Sequence, residues 1–231
     1  MPTVLALVHS PLVGPITWSL VAEELKRRHV ETVVPVLVDD DRRQAPYWQQ
    51  HVDAVTRALV AIPRDRALVL VGHSGAGALL PAIADATDQT VAAYLFVDAG
   101  IPTDGLSRLE AMAIEDPEFA RELEQHLAAG GDFPEWSEED LEPLVPDQQL
   151  RHQLVSELYP RSFAFFTEPI PVFVGWPDAP CGYLKFSAAY DAPAIRAREA
   201  GWRCLDLPAG HFHMLVDPVA VAAALLDLLD P

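Results

Sequence analysis

The sequence has few cysteines, few basic residues and no long apolar run, and each shortage argues against a class of protein. Its two cysteines, Cys181 and Cys204, could pair in principle, but intracellular proteins keep such thiols reduced, so both are interpreted as structural. No apolar run approaches the roughly 18 to 20 residues of a membrane span. Residues Met1–Val8 lack a basic region and are too short for a signal peptide. We therefore expect a cytoplasmic protein that does not enter a membrane.

Positive charge is scarce relative to negative charge. The chain has 16 lysines and arginines against 34 aspartates and glutamates, a formal net charge of −18 at pH 7. Nucleic acids and anionic membranes would be repelled unless a local basic patch compensated. The short runs Lys26–Arg28 and Arg42–Arg43 are typical of solvated helix and loop ends. The expected partner is a small-molecule substrate, with no nucleic acid and no membrane, and the oligomeric state stays open.

Apolar content is ample, since half of the 231 residues are hydrophobic, enough for one large domain. Uninterrupted apolar runs favour parallel strands buried on both faces, at Val4–Val8, Thr32–Val38, Ala67–Val71, Val91–Val97, Gly182–Ser187 and Arg203–Leu207. Helical periodicity falls mostly between them, at Trp18–His29, Tyr47–Ala61, Gly75–Ala86, Ala192–Ala200 and Pro218–Leu229. This alternation predicts an α/β fold with a doubly wound, mostly parallel sheet.

Residues 105–169 interrupt the alternation, because they are acidic and show no obvious strand. Helices are predicted here at Leu106–Ile114, Pro117–Ala129, Glu138–Leu144 and Asp147–Leu158. We interpret the segment as a small helical cap inserted into a core formed by residues 1–104 and 170–231. Such an insertion would lie over the ligand crevice at the carboxyl edge of the sheet. Its aromatic residues, including Trp136, are more typical of the core of the insertion than of substrate contacts.

The turn at residues 72–77 has the features of a nucleophile site. An apolar run ends at Gly72-His73-Ser74-Gly75, and a helix-forming segment follows. Small neighbours permit the strained backbone that lifts a serine hydroxyl clear of a sheet, and the N–H of Gly75 would face a developing oxyanion. The strict Gly-x-Ser-x-Gly pattern is not met, since Ala76 takes its fifth place. The alternative is a glycine-rich turn whose serine only caps the helix.

A nucleophilic serine needs an imidazole base, which in turn is held by a carboxylate. His211 directly follows Gly210, after the last predicted strand and before the last helix. That position places it at the sheet edge that also carries Ser74. His213 is the competing candidate.

In chain order these segments resemble the α/β-hydrolase superfamily, and among its members the small esterase-like ones. The resemblance spans nearly the whole chain: a first strand followed by His9-Ser10-Pro11, the serine turn, a helical cap and the late Gly210-His211. Val97–Gly105 is similar to the segment that ends the strand after the serine turn. The resemblance implies an α/β-hydrolase fold, here without the early strand hairpin that is common in the superfamily.

The resemblance leaves the acidic residue open. Family members usually place it after the penultimate strand, where Tyr183–Ala189 offers no carboxylate. A subset supplies it after the strand that follows the serine turn, which is where Asp98 stands, so Asp98 is assigned. The alternatives are a purely structural Asp98, with Asp191 or Asp178 as the acid.

The second oxyanion donor is expected in the loop after the first strand. The position that commonly supplies it in the superfamily holds Pro11, which has no N–H. Leu12 is assigned instead, after a small shift of the loop; a contribution from the Ser10 hydroxyl and an incomplete oxyanion hole are the alternatives. Losing one such donor typically costs about 2.7 to 4 kcal/mol of transition-state stabilisation. Substrate contacts are assigned to His9, Ser10, His73 and Trp136.

These residues predict a serine hydrolase acting on a small, largely apolar ester, lactone or thioester. Ser74 would attack, His211 would transfer the proton, and Asp98 would orient His211. Pro11 and the absent late acid motivate the alternatives, a lyase, isomerase or cyclase of a small natural product, or a ligand receptor. No metal is expected, because His211 and His213 are an isolated cluster of two histidines without further ligands at metal-binding spacing. No cofactor is expected, because residues 72–77 lack the nucleotide-binding glycine pattern.

Overall fold

A sheet of six parallel strands forms the centre of the protein, in a computed structural model that describes residues 3–40, 42–43 and 46–230. The strands are β1 (Thr3–Val8), β2 (Glu31–Val33), β3 (Ala67–His73), β4 (Val91–Val97), β5 (Cys181–Lys185) and β6 (Arg203–Asp206). Their spatial order is β2-β1-β3-β4-β5-β6, and every neighbouring pair is parallel. Within the described residues no antiparallel strand joins this sheet, as expected for a fold without the early hairpin.

Helices cover both faces of the sheet, which confirms the doubly wound fold. The helices of the core are α1 (Ile16–Arg27), α2 (Tyr47–Leu59), α3 (Leu80–Ala86), α9 (Asp191–Glu199), α10 (His213–Val216) and α11 (Pro218–Asp227). Buried residues of α2, α3 and α9 pack on one face, and those of α1, α10 and α11 pack on the other. None of the helices in the described ranges is long and apolar enough to cross a membrane.

The middle strands are buried on both faces because successive side chains of a strand point in opposite directions. All seven residues of β3 are buried. Leu68 and Leu70 join the apolar cluster on one face, whereas Val69 and Val71 join the cluster on the other. This explains why the strand appears in the sequence as an uninterrupted apolar run.

The predicted cap segment is helical between β4 and β5. Its helices are α4 (Arg108–Glu115), α5 (Pro117–Ala128), α6 (Glu138–Leu141), α7 (Gln148–Ser156) and α8 (Phe163–Thr167). Ser107 begins α4 with a capping box, accepting from Glu110 N while the Glu110 carboxylate accepts from Ser107 N. The short α8 was not predicted from the sequence; its Phe165 and Phe166 are buried with Leu12 of the core in a separate apolar cluster.

The second strand is shorter than predicted. The sequence pattern indicated Thr32–Val38, but pairing with β1 ends at Val33. Pro35 has no N–H to donate to a strand partner. Leu37 N donates to Nε2 of His9, at 3.2 Å, rather than to a neighbouring strand. The chain therefore leaves the sheet after Val33 and packs against the loop that follows β1.

Three histidines of this core are fully buried: His9, His51 and His73. Burial lowers the pKa of all three, and that of His9 falls to about 4. His9 accepts a hydrogen bond at Nε2 and donates one from Nδ1 to Ser10 O, at 2.9 Å. The folded protein thus holds these imidazoles neutral.

We expect the free energy of unfolding to decrease as the pH falls from about 6.5, the value for an unfolded histidine, towards about 4. Over this window the unfolded chain binds protons that the folded state excludes, so stability present above pH ~6.5 is lost progressively. Urea unfolding at about pH 7 and about pH 5 should show a smaller loss for His9→Gln than for the wild type. The exposed His29, which has a positive φ, provides the control His29→Asn. Equal losses in the wild type and His9→Gln would contradict the prediction.

Candidate active site

Ser74 lies at the turn between β3 and a short 3₁₀ helix, Ser74–Leu79. Its φ is 55°, a left-handed conformation that is strained for any residue other than glycine. A Cβ on Gly77 would lie 2.6 Å from Gly100 O, so only glycine allows this close approach. The glycine that this packing requires is therefore present, but it comes one residue later than in the strict pattern, at Gly77 instead of Ala76.

Asp98 and His211 form a hydrogen-bonded pair at the carboxyl edge of the sheet. Asp98 directly follows β4, is fully buried and has a φ of 43°. Its Oδ2 lies 2.9 Å from His211 Nδ1 and 2.7 Å from Ser187 Oγ, while Oδ1 accepts from Phe186 N at 2.8 Å and Ser187 N at 3.0 Å. Since a carboxylate only accepts, His211 donates from Nδ1, which leaves Nε2 free to act as a base.

The other two candidate aspartates are engaged elsewhere. Asp178 accepts a hydrogen bond from the Tyr94 hydroxyl at 2.7 Å, and Asp191 is paired with Lys185. Both aspartates are exposed, whereas Asp98 is buried. Of the three aspartates named from the sequence, Asp98 is the one in contact with His211.

Tyr190 belongs to the site although the sequence did not single it out. Its Oη lies 3.1 Å from Ser74 Oγ, and its ring stacks on the His211 ring with centroids 5.1 Å apart and planes within 6°. Burial raises the pKa of its phenol, so the group remains a neutral donor. Among the described residues, Ser74 Oγ makes this hydrogen bond and none to His211. Tyr190 follows β5, the place where a carboxylate was sought, and that position was the available signal.

The predicted oxyanion residues lie together beside Ser74. A Cβ on Gly75 would be 3.3 Å from Ser10 Oγ, so the serine turn faces the loop after β1. Leu12 N donates to the same Ser10 oxygen across 3.4 Å, a long hydrogen bond. Pro11 offers no N–H. Gly75 and Leu12 therefore line the same space as Ser74, with Leu12 N held by the Ser10 hydroxyl.

A cavity of about 100 Å³ opens beside Ser74, between the core and the cap. Its wall includes Leu12 and Gly75 and is apolar except for Ser74, Arg108, Glu115 and Tyr190. Arg108 and Glu115 come from α4, so the cap contributes both charged groups. The space is small and mainly apolar, with two charges at fixed positions.

His9, Ser10, His73 and Trp136 do not line this cavity, in contrast to their predicted roles as substrate contacts. The side chain of His9 is occupied by the backbone, and His73 donates from Nε2 to His211 O at 3.0 Å. Trp136 packs edge-on against the Phe212 ring, with centroids 5.9 Å apart. His73 and Trp136 therefore contact His211 and Phe212, respectively, without reaching the cavity. The competing His213 packs against the Phe186 ring rather than facing Ser74.

The sheet of parallel strands with helices on both faces is the fold of an α/β hydrolase. A family model described as "Alpha/beta hydrolase family" matches residues 5–224. The chain therefore belongs to the alpha/beta hydrolase family. No curated protein sequence matches it.

Solved structures share the fold over almost the whole chain. An extracellular alpha/beta-hydrolase from a Paenibacillus species is 17% identical with a TM-score of 0.76, covering 98% of this chain and 99% of its own. Polyneuridine aldehyde esterase is 16% identical with a TM-score of 0.74, and all of both chains is covered. Tomato methylketone synthase I is 9% identical with a TM-score of 0.75, covering 100% of this chain and 98% of its own. At such identities the likeness shows the fold alone.

Asp98→Asn is expected to slow the reaction of Ser74 with a fluorophosphonate, a reagent for activated serines, by up to about 10⁴-fold. The amide introduced by Asp98→Asn has one acceptor oxygen, so it cannot accept from His211 Nδ1 and from the Phe186 and Ser187 donors at once. His211 is then no longer held in the tautomer that leaves Nε2 unprotonated. Labelling rates measured by intact mass would test this. Asp178→Asn and Asp191→Asn are matched controls that should label at the wild-type rate. Slower labelling in either control than in Asp98→Asn would contradict the assignment.

Proposed function

We propose that the protein is a serine hydrolase that cleaves a small, largely apolar ester, lactone or thioester through an acyl-serine intermediate. The observation that carries the proposal is the strained Ser74 turn at the same sheet edge as the His211–Asp98 pair. Membership of the alpha/beta hydrolase family supports hydrolysis as the class of reaction. The small, mostly apolar cavity beside Ser74 supports a small acyl or alcohol group.

The mechanism follows from the positions of these groups. Ser74 Oγ attacks the carbonyl carbon, and its proton passes to Nε2 of His211, whose positive charge Asp98 stabilises. The negative oxygen of the tetrahedral intermediate accepts hydrogen bonds from Gly75 N and from Leu12 N, which exchanges its long bond to Ser10 Oγ for the oxyanion. When the intermediate collapses, the leaving group takes the proton from His211. Water then attacks the acyl-serine by the same route, releasing the acid and restoring the serine.

Tyr190 has a defined part in this scheme. In the free enzyme its hydroxyl is bonded to Ser74 Oγ, so Ser74 must turn from Tyr190 to His211 when substrate binds. Catalytic hydrogen bonds are often loose in free enzymes and tighten in the substrate complex. Once released, the Tyr190 hydroxyl lies within reach of the reacting centre as a neutral donor. It would compensate for the N–H that Pro11 lacks.

A second candidate function is a non-hydrolytic conversion of a small natural product, with a ligand receptor as its non-catalytic form. Two observations favour it: Pro11 weakens the oxyanion loop, and Ser74 is bonded to Tyr190. Tomato methylketone synthase I has a similar fold and is named a synthase rather than a hydrolase. In such a reaction Ser74, Tyr190 and His211 would hold or move protons of a bound ligand.

Intact-mass analysis after incubation with a fluorophosphonate tests the hydrolase proposal. We expect one adduct per chain in the wild type and in the control His213→Ala, and none in Ser74→Ala or His211→Ala, because only an activated serine reacts quickly. Absence of an adduct in folded wild type would overturn the proposal. Turnover without release of an alcohol or thiol would then identify the non-hydrolytic alternative.

Tyr190→Phe is expected to lower kcat for a simple alkyl ester by about 10- to 100-fold with little change in KM. The reason is that the hydroxyl would act mainly in the transition state, where loss of one donor is costly. Steady-state rates measured beside Tyr159→Phe, a change on the exposed cap surface, would test this. An increased rate in Tyr190→Phe would instead mean that the phenol restrains Ser74.

A further inference from the structure

Arg108 is a buried cation in the cavity wall, and three of its five N–H donors have no partner among the described residues. The residue is only 6% exposed. Its Nη1 donates to Phe165 O at 3.0 Å and to Glu168 Oε1 at 2.9 Å. Its Nε and Nη2 have no hydrogen-bond acceptor among the described residues. Burial lowers its pKa to about 10, with Glu168 opposing the shift, so the guanidinium is still charged at neutral pH.

The two unpaired donors form one edge of the planar guanidinium. Nε–H and the adjacent Nη2–H point in parallel and match the two oxygens of a carboxylate. The Phe165 ring covers one face of the group, with Cζ 3.8 Å from its centroid, and the Nε and Nη2 edge is left without an acceptor among the described residues. Leaving charged donors buried without an acceptor is costly, which makes this edge a strong candidate for ligand binding.

Glu168 is not free to serve this edge. Its Oε1 also accepts from Trp48 N and its Oε2 accepts from Tyr47 N, both at 2.8 Å. These bonds fix its carboxylate against the start of α2. The acceptor for the Nε and Nη2 edge must therefore be a group other than Glu168.

The cavity relates this edge to the nucleophile. Arg108 and Ser74 line the same space of about 100 Å³. A ligand that occupies this space would therefore lie against both residues. Glu115, the other charged residue of the wall, has its own cation, since Arg196 Nη1 lies 3.4 Å from its Oε1.

We propose that the Nε and Nη2 edge of Arg108 is a carboxylate-binding subsite, and that the substrate is a short ester or thioester carrying a free carboxylate, such as a half-ester of a dicarboxylic acid. The inference rests on the proposed function, because it names the substrate class for Ser74. The carboxylate would anchor the ligand, and Met112 and Phe166 would contact its methylene groups. The ester carbonyl would then lie at Ser74.

Monomethyl succinate, glutarate and adipate are suitable probes, each compared with the methyl ester whose carboxylate is replaced by an isosteric primary amide. We expect the wild type to favour the best half-ester over its amide by about 10- to 100-fold in kcat/KM, the size of a charge-assisted hydrogen bond. Equal or inverted rates for all three pairs would overturn the subsite.

Arg108→Gln would remove the preference, but it also removes the contacts to Phe165 and Glu168 and so endangers folding. Ala111 offers a safer test, because it lies on α4 at the i+3 position from Arg108 and lines the same cavity. Ala111→Glu places an internal carboxylate beside Arg108 and should abolish the preference. The isosteric Ala111→Gln should retain it, and a preference that survives in Ala111→Glu would contradict the proposal.

Binding to Ser74→Ala separates this inference from the hydrolase proposal. Monomethyl glutarate should raise the thermal midpoint of Ser74→Ala in a dose-dependent way, whereas Ser74→Ala combined with Ala111→Glu should not respond. If the wild type fails to react with a fluorophosphonate but this stabilisation is seen, the hydrolase proposal fails and the subsite stands. If the half-ester and its amide stabilise equally, the subsite fails whatever Ser74 does.

Discussion

The arrangement of the site depends on the buried carboxylate of Asp98. This group accepts two backbone N–H bonds and one hydroxyl bond from the residues that follow β5, and it contacts His211 from the loop after β6. Charge-assisted hydrogen bonds of this kind are stronger than neutral ones, and four of them offset the free energy needed to remove one carboxylate from water. The ends of β4, β5 and β6 are therefore joined at one point. Tyr190 stands three residues after Ser187, so its place over Ser74 depends on the same anchor.

Two strained residues are held in place by the rigid middle of the sheet. Ser74 and Asp98 both have positive φ, which costs about 1 to 3 kcal/mol each for residues other than glycine. They directly follow β3 and β4, which pair with each other and whose apolar side chains are mostly buried. Gly77 packs against Gly100 O just beyond both turns. The sheet can thus sustain the strain that places the Ser74 hydroxyl at the cavity and the Asp98 carboxylate at His211.

The sequence predicted most of the fold because the buried strands are continuous apolar runs and most helices are periodic. The candidate nucleophile, base and acid were chosen for a related reason, since parallel strands bring their carboxyl ends to one edge, and the structure places all three there. The same logic fails for side-chain direction: His73 is next to Ser74 in the chain, but the last residue of β3 points into the core. Tyr190 was missed because only a carboxylate was sought after β5, although its position there was a signal. The extent of β2 depended on a long-range bond from Leu37 to His9, which local pattern does not encode.

Charged residues of the cap hold the loop after β1 and supply the cation of the proposed subsite. Arg161 is paired with Asp39 at 2.6 Å and donates to Pro11 O, so the cap holds the loop whose N–H is missing. Burial alone would raise the pKa of Asp39, but the bonds from His51 and Arg161 lower it to about 2, which keeps this attachment charged.

A protein with a net charge of −18 repels anions at long range, so it can select a carboxylate only through a local cation. Buried pairs are screened far less by salt than surface charges are. Arg108, buried on the cavity side of the cap helix α4, is therefore placed where one positive charge can outweigh the surrounding negative field.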